Sequence, residues 1–166
     1  VLRTARMIAC TSSRRLGACL TRVTVTGTKK HYFTFNEANA QIPILESTFA
    51  RLLQLNAQLK TVYSELDDAG YAPDDEDFVI DPPGAPSDVI QTLATLRTLF
   101  DAARQSVESL TDMGCVVKQI EHGLVDWYAM RAGREVLLCW KLGEKSVGFW
   151  HEIDAGFTGR QSIATF

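Results

Sequence analysis

The chain has 166 residues, of which 46% are hydrophobic and 22% are charged, and its formal net charge at pH 7 is −3. This length suits one domain with or without a tail. The chain has no run of about 18 apolar residues, so we expect no membrane-spanning segment. Four widely spaced cysteines form neither a CxxC pair nor a zinc-finger spacing, which favours reduced thiols and a cytoplasmic protein.

Basic residues are concentrated at the start of the chain. Residues 1–30 contain seven basic residues and no acid, which leaves 10 basic and 20 acidic residues, a net charge of −10, over residues 31–166. An acidic body repels phosphate backbones, so nucleic acid is not expected as a partner. The acid-free start has the composition of a transit peptide, but it lacks a long amphipathic arginine helix. We favour a basic tail, either disordered or the product of a start site set too far upstream.

A first long helix is predicted over residues 35–69, with a break or kink near Pro43. Thr34 and Glu37 have the spacing of a capping box, and Gly70 is suited to end the helix. Between them, apolar residues recur in steps of three and four, which is the heptad pattern of a packed seam. The seam consists of Ile42, Leu45, Phe49, Leu52, Leu59, Tyr63 and Leu66, with Asn56 at the remaining position.

A second helix is predicted over residues 87–113, with Ser87 as its N-cap and Gly114 after its end. Its heptad seam is Val89, Leu93, Leu96, Phe100, Ala103, Val107 and Leu110. The acidic, proline-rich stretch before it, residues 71–87, is a loop that is either disordered or docked through Phe78, Val79 and Ile80. Two helices of similar length joined by a reversing loop predict an antiparallel hairpin.

After Gly114 the hydrophobic period changes to two. Four short strands over residues 115–151, joined by glycine-containing turns, predict an antiparallel meander, and residues 152–166 form an irregular tail. The predicted fold class is α+β. It is a long antiparallel helical hairpin packed on a four-stranded antiparallel meander sheet, in a single domain of residues 31–166.

The turns also predict which strand residues face one another. Short turns place Asp126 opposite both Lys118 and Cys139, and Cys139 opposite Gly148. One face of the sheet is then apolar and should pack on the helices: Val125, Trp127, Val136, Leu138, Trp140, Val147 and Phe149. The other face carries Lys118, Asp126 and Cys139, flanked by residues that include Tyr128 and Trp150. His151 falls on the face opposite Cys139, although a one-residue slip would exchange the faces.

Several of these residues have a simple structural interpretation beside a functional one. Lys118 and Asp126 suit a cross-strand ion pair, Cys139 a small semi-buried apolar side chain, and Glu144 a solvated turn. The tail keeps His151, Asp154 and Arg160. Arg160 can grip a carboxylate or phosphate, or it can pin the tail to the sheet. His151 and Asp154 are weak metal candidates, and no metal site is expected because a defined three-ligand spacing is not visible.

Four strings, in their order and spacing, resemble a bacterial family known as domain of unknown function 2203. They are FTFNEANAQIPIL, GLVDW, LLCWKLGE and FWHEIDAGFTGRQ, within residues 32–163. The resemblance implies domain boundaries and supplies no chemistry. The chain departs from the family at Trp127-Tyr128, where members often have Phe-Pro, and its first 30 residues and acidic proline loop are its own.

The sequence leaves two functions open. The first is a binding or assembly module that forms a homodimer through apolar helix residues beside the seams: Leu53, Leu55, Val62, Ile90 and Leu99. Its sheet-and-tail surface would bind a small anionic ligand or a protein. The alternative is a small enzyme or metal-binding protein that uses His151, Asp154, Cys139 and Arg160. No recognisable catalytic or cofactor motif is present, so catalytic residues stay unassigned and no cofactor is expected. The candidate ligand-binding residues are Arg160, His151, Asp154, Trp150, Asp126, Cys139, Lys118, Tyr128 and Glu144.

Overall fold

A computed structural model describes residues 30–75 and 77–166. The prediction of a basic tail at the start of the chain therefore lies almost wholly outside the described residues. The elements are helices α1 (Phe35–Asp68) and α2 (Ser87–Asp112), followed by strands β1 (Val116–Gln119), β2 (Leu124–Arg131), β3 (Arg134–Lys141), β4 (Phe149–Glu152) and β5 (Gln161–Ser162). Short 3-10 turns lie at Phe157–Gly159 and Ile163–Thr165.

Helix α1 begins where the capping residues predict. The Thr34 hydroxyl accepts a hydrogen bond from the Glu37 amide, and the Glu37 carboxylate accepts one from the Thr34 amide at 2.8 Å. These bonds satisfy two amides that a helix start leaves without partners. The helix runs through Pro43 without a break. At its other end Gly70 adopts φ +76° and the Tyr71 amide donates to the Leu66 carbonyl at 2.8 Å, which closes the last turn.

Helix α2 packs antiparallel on α1 through the predicted seams. The seam residues of both helices are buried, except that Tyr63 and Phe100 are half-buried. The N-cap of α2 is Pro86, whose side chain makes no capping bond, and Ser87 is already helical. The prediction of Ser87 as the N-cap was therefore wrong, because Pro86 takes the extended conformation there and its carbonyl accepts from the Ile90 amide at 3.1 Å.

The loop between the helices docks on the hairpin. Arg97 donates to the Phe78 carbonyl at 2.6 Å and stacks on the Phe78 ring at 4.4 Å, while Tyr63 donates to the Pro73 carbonyl at 3.2 Å. Phe78 also packs near Phe100, with ring centroids 6.5 Å apart. The docked loop covers part of the hairpin, and of the five apolar residues expected beside the seams Leu55 is buried and three others are half-buried. The homodimer remains a prediction, and the apolar helix surface available for it is smaller than the sequence suggested.

The sheet has five antiparallel strands in the order β1-β2-β3-β4-β5, one more than predicted. The additional strand comes from the tail, where Gln161 pairs with Trp150 and Ser162 with Phe149. The two-residue turn Ala132-Gly133 has positive φ at both positions, +48° and +77°. This turn joins β2 to β3 in the predicted register, with Asp126 opposite Cys139.

The register of β3 with β4 differs from the prediction by one residue. Cys139 pairs with Phe149 and Leu138 with Trp150, whereas a two-residue turn would have paired Cys139 with Gly148. The connection is longer because residues 142–148 form a loop that is held by one long-range and one local hydrogen bond. The Val147 amide donates to Asn39 Oδ1 of α1 at 2.8 Å, and Trp140 Nε1 donates to the Glu144 carbonyl at 2.8 Å.

The slip exchanges the faces of β4. Trp150, predicted on the polar face, is 2% exposed and packs in the core, whereas Phe149, predicted in the core, is 36% exposed. We call the face that packs on the helices the inner face, and it carries Val125, Trp127, Ala129, Val136, Leu138, Trp140 and Trp150. The opposite, outer face carries Asp126, Cys139 and His151, so the prediction that separated His151 from Cys139 was wrong.

Polar side chains of α1 fasten the sheet to the hairpin. Gln41 Oε1 accepts from Trp127 Nε1 at 2.7 Å and from the Cys115 thiol at 3.3 Å, and Gln41 Nε2 donates to the Met113 carbonyl at 3.0 Å. Burial raises the pKa of Cys115 to about 12, so this thiol stays protonated and donates. Gln41 therefore joins α1, the end of α2 and the centre of β2 in one partly buried network.

Asn56 is the one polar residue in the seam of α1, and it is 7% exposed. We expect Asn56→Leu to raise the free energy of unfolding by about 1 kcal/mol, because an apolar side chain removes a desolvated amide from the helix interface. The measurement is chemical denaturation, with Leu52→Asn as the matched control that should destabilise strongly. A loss of stability in Asn56→Leu would mean that the amide has a dedicated buried partner. Sedimentation of both proteins tests whether Asn56 also sets the association state.

Candidate functional site

Three side chains from three neighbouring strands meet on the outer face of the sheet. Asp126 of β2, Cys139 of β3 and His151 of β4 are 2%, 0% and 2% exposed, and their ligand atoms all lie within 4.8 Å of one another. Asp126 and Cys139 are direct cross-strand partners, and His151 stands opposite Leu137, two residues along β3. We call these three residues the Asp-Cys-His cluster.

Both ring nitrogens of His151 face oxygen atoms. Nδ1 lies 2.8 Å from the Glu152 carbonyl oxygen, and Nε2 lies 3.3 Å from Asp126 Oδ2. A carbonyl only accepts hydrogen bonds, so Nδ1 carries a proton and Nε2 is directed at the carboxylate. Hydrogen bonding to Asp126 raises the pKa of His151, against the opposing effect of burial. The carboxylate therefore favours the protonated form of the imidazole.

The Cys139 thiol is the neutral member of the cluster. Burial raises its pKa well above the ordinary value, and the nearby Asp126 carboxylate raises it further. A thiol in this state is a poor nucleophile, because nucleophilic attack requires the thiolate. The cluster therefore does not have the character of a cysteine–histidine catalytic pair, despite the short distances.

One carboxylate oxygen of Asp126 has no hydrogen-bond partner among the described residues. Oδ1 is buried and makes no hydrogen bond to any residue that the structure describes, while Oδ2 faces His151 and the Lys118 ammonium, 3.8 Å away. A buried carboxylate oxygen without a partner is costly. Lys118 lies at an irregularity of β1, between Val117 and Gln119, and Val116 rather than Lys118 pairs with Asp126. The predicted pairing of Lys118 with Asp126 was thus wrong in register, although the ion pair is present.

Arg160 lies beside the cluster and contacts Glu144 and two aromatic rings. Its Nη2 donates to both oxygens of Glu144 at 2.8 Å, and its guanidinium lies 3.9 Å from the centre of the Phe149 ring and 4.8 Å from that of Phe157. Glu144 in turn accepts from the Lys141 amide at 2.9 Å. Arg160 therefore links the tail to the loop between β3 and β4, and its side chain is only 11% exposed.

The remaining predicted site residues lie outside the cluster. Asp154 is exposed in the turn after β4, and Trp150 packs on the inner face with its Nε1 donating to Thr165 Oγ1 at 3.1 Å. Tyr128 is half-buried on the outer face, and the Lys30 ammonium lies 4.0 Å from its ring centre. Each cluster residue was among the sequence candidates, but their convergence was not predicted because the β3–β4 register was wrong by one residue.

The strings that suggested a family come together at this site. GLVDW supplies Asp126, LLCWKLGE supplies Cys139 and Glu144, and FWHEIDAGFTGRQ supplies His151 and Arg160. The remaining string, FTFNEANAQIPIL, supplies the Asn39 and Gln41 side chains that fasten the sheet to α1. The quoted strings thus contain the residues that build and support the cluster.

Comparison with known proteins gives one family and no individual relative. The family model described as an uncharacterized conserved protein, DUF2203, matches residues 31–163. No curated protein and no solved structure matches the chain. No helix among the described residues is long and apolar enough to cross a membrane. Since the match covers most of the chain and contains every residue of the cluster, the chain belongs to the DUF2203 family.

Proposed function

We propose that the protein binds a divalent transition-metal ion, of which Zn²⁺ is the best fit, through Asp126, Cys139 and His151. The observation that carries this proposal is the buried convergence of three ligand atoms within 4.8 Å, with Asp126 Oδ1 unpaired among the described residues. Carboxylate oxygen, thiolate sulfur and imidazole nitrogen are the three protein ligand types of zinc sites.

The distances support a tetrahedral ion. Bonds of about 2.0–2.2 Å from zinc to nitrogen and oxygen place neighbouring ligand atoms about 3.3–3.5 Å apart, and His151 Nε2 lies 3.3 Å from Asp126 Oδ2. The ligand atoms of all three residues already lie within 4.8 Å of one another, so small side-chain movements would bring them to the spacing of a tetrahedral site. The Glu152 carbonyl accepts a hydrogen bond from Nδ1, and this bond would orient Nε2 toward a bound ion, as outer hydrogen bonds do for metal-binding histidines.

The chemistry of the thiol supports a transition metal over Mg²⁺ or Ca²⁺. Those ions prefer all-oxygen surroundings, whereas thiolate and imidazole favour zinc and its neighbours. Binding would deprotonate Cys139, because a bound cation supplies the positive charge that burial otherwise denies the thiolate. Three protein ligands leave a fourth position of a tetrahedral ion for water or another molecule.

Metal stoichiometry tests the proposal. The full chain carrying Cys10→Ser and Cys19→Ser, so that Cys115 and Cys139 are the remaining thiols, is stripped with chelator and dialysed against Zn²⁺. We expect one zinc per chain. Asp126→Asn, Cys139→Ser and His151→Gln should each weaken binding by more than about tenfold, since even loss of an outer partner costs about 10–100-fold.

Cys115→Ser is the matched control, because Cys115 is equally buried but bonds to Gln41 instead of facing the cluster. It should keep the zinc. With Co²⁺ as the probe, a thiolate-to-metal charge-transfer band should appear in the starting protein and in Cys115→Ser and be absent from Cys139→Ser. Folding of every variant is checked by circular dichroism. A folded starting protein with no stoichiometric zinc would overturn the proposal.

A further inference from the structure

The side chain of Lys118 lies close enough to the Asp-Cys-His cluster to form an ion pair with its carboxylate. Lys118 Nζ lies 3.8 Å from Asp126 Oδ2, the same oxygen that faces His151 Nε2. The Lys118 side chain is 42% exposed, whereas that of Asp126 is 2% exposed. The ammonium group therefore reaches from solvent to the rim of a buried carboxylate.

The local backbone allows the Lys118 side chain to move away from Asp126. It lies on β1, which among the described strands pairs with β2 alone, at the point where the pairing becomes irregular between Val117 and Gln119. A bulge bends its strand and re-aims a side chain, and four methylene groups connect the ammonium to the backbone. Rotation of this side chain into solvent therefore breaks no strand pairing.

The Lys118 ammonium and a divalent ion would compete for the Asp126 carboxylate, because both are positively charged. Asp126 is the acidic member of the cluster, and the Lys118 ammonium and the His151 imidazole, which is cationic only when protonated, lie around it. A divalent ion bound to the same carboxylate would place two further positive charges close to the ammonium, and because Asp126 is buried water would screen this repulsion only in part. Each cation should therefore weaken the binding of the other.

Building on the proposed metal function, we infer that Lys118 competes with the metal ion for the Asp126 carboxylate. The Lys118 ammonium neutralises Asp126 when the site is metal-free, and it thereby lowers the affinity for divalent cations. The affinity is thereby set by a residue that is not a ligand. Removal of the charge at position 118 should tighten metal binding without altering the ligand set.

The experiment compares Zn²⁺ dissociation constants by competition with a chromophoric chelator, in the same Cys10→Ser, Cys19→Ser background. We expect Lys118→Met to bind zinc at least tenfold more tightly than the starting protein, and Lys118→Arg, which keeps the charge, to bind no more tightly. Lys141→Met is the matched control. Lys141 also lies on the outer face, but its ammonium lies over the Phe157 ring, 6.0 Å from the ring centre, and not beside Asp126. It should change the affinity less than twofold.

The outcomes separate the two proposals. Zinc binding by the starting protein with unchanged or weaker binding by Lys118→Met overturns the inference and leaves the metal function intact. Binding by Lys118→Met alone supports the inference and overturns the metal function of the natural chain. Absence of zinc from every variant, with the fold confirmed by circular dichroism, overturns both.

Discussion

Trp150→Ala is expected to lower the free energy of unfolding by about 3–5 kcal/mol, the range for a large aromatic residue removed from a core. Trp150 is 2% exposed, its Nε1 donates to Thr165 Oγ1, and the Arg131 guanidinium lies 4.4 Å from its ring centre. Substitution would leave a cavity against the helices and free the last turn of the chain. The melting temperature should fall by about 6–20 °C, given about 2–4 °C per kcal/mol for a domain of this size.

Phe149→Ala is the matched control for this prediction. Phe149 is the neighbouring residue, points to the outer face and is 36% exposed. Its loss removes a stacking contact with Arg160 and should cost no more than about 1.5 kcal/mol. The sequence-based register predicts the opposite order, with Phe149 the critical residue. A larger loss of stability in Phe149→Ala than in Trp150→Ala would therefore show that the register of β3 with β4 is wrong.

Arg160→Lys is expected to destabilise the protein by about 1–3 kcal/mol, because Lys cannot reproduce the planar contact between two aromatic rings while donating to both oxygens of Glu144. The pair is mostly buried, with side chains 11% and 26% exposed. Arg134→Lys is the matched control. Arg134 pairs with Glu152 at 3.5 Å, but the side chains are 63% and 40% exposed, so this change should cost less than about 1 kcal/mol.

The same variants test whether Arg160 binds an anion. Thermal melts with a panel of phosphates and carboxylates should not shift the wild-type protein, because Glu144 already takes the guanidinium. An anion that raises the wild-type melting temperature and fails to do so in Arg160→Lys would contradict the structural role. That result would support instead the sequence-based prediction of an anionic ligand at the sheet-and-tail surface.

Local sequence determined the helices and most of the sheet. Heptad spacing specified the buried faces of α1 and α2, because an α-helix brings residues three and four apart onto one side. Thr34 with Glu37 and the turn at Ala132-Gly133 specified a helix start and the β2–β3 register, since each is a short-range device whose hydrogen bonds lie within a few residues. These features require no knowledge of distant parts of the chain.

The register of β4, and with it the candidate site, was decided only by the tertiary structure. The loop at residues 142–148 is held by the hydrogen bond from the Val147 amide to Asn39 Oδ1, across 108 residues, and by the link between Glu144 and Arg160. Side chains in a strand alternate between faces, so one residue of slip exchanges Trp150 with His151. The sequence by itself determined which residue types could form a site. The contacts that place His151 beside Asp126 and Cys139 are long-range, and for that reason only the folded chain brings the three together.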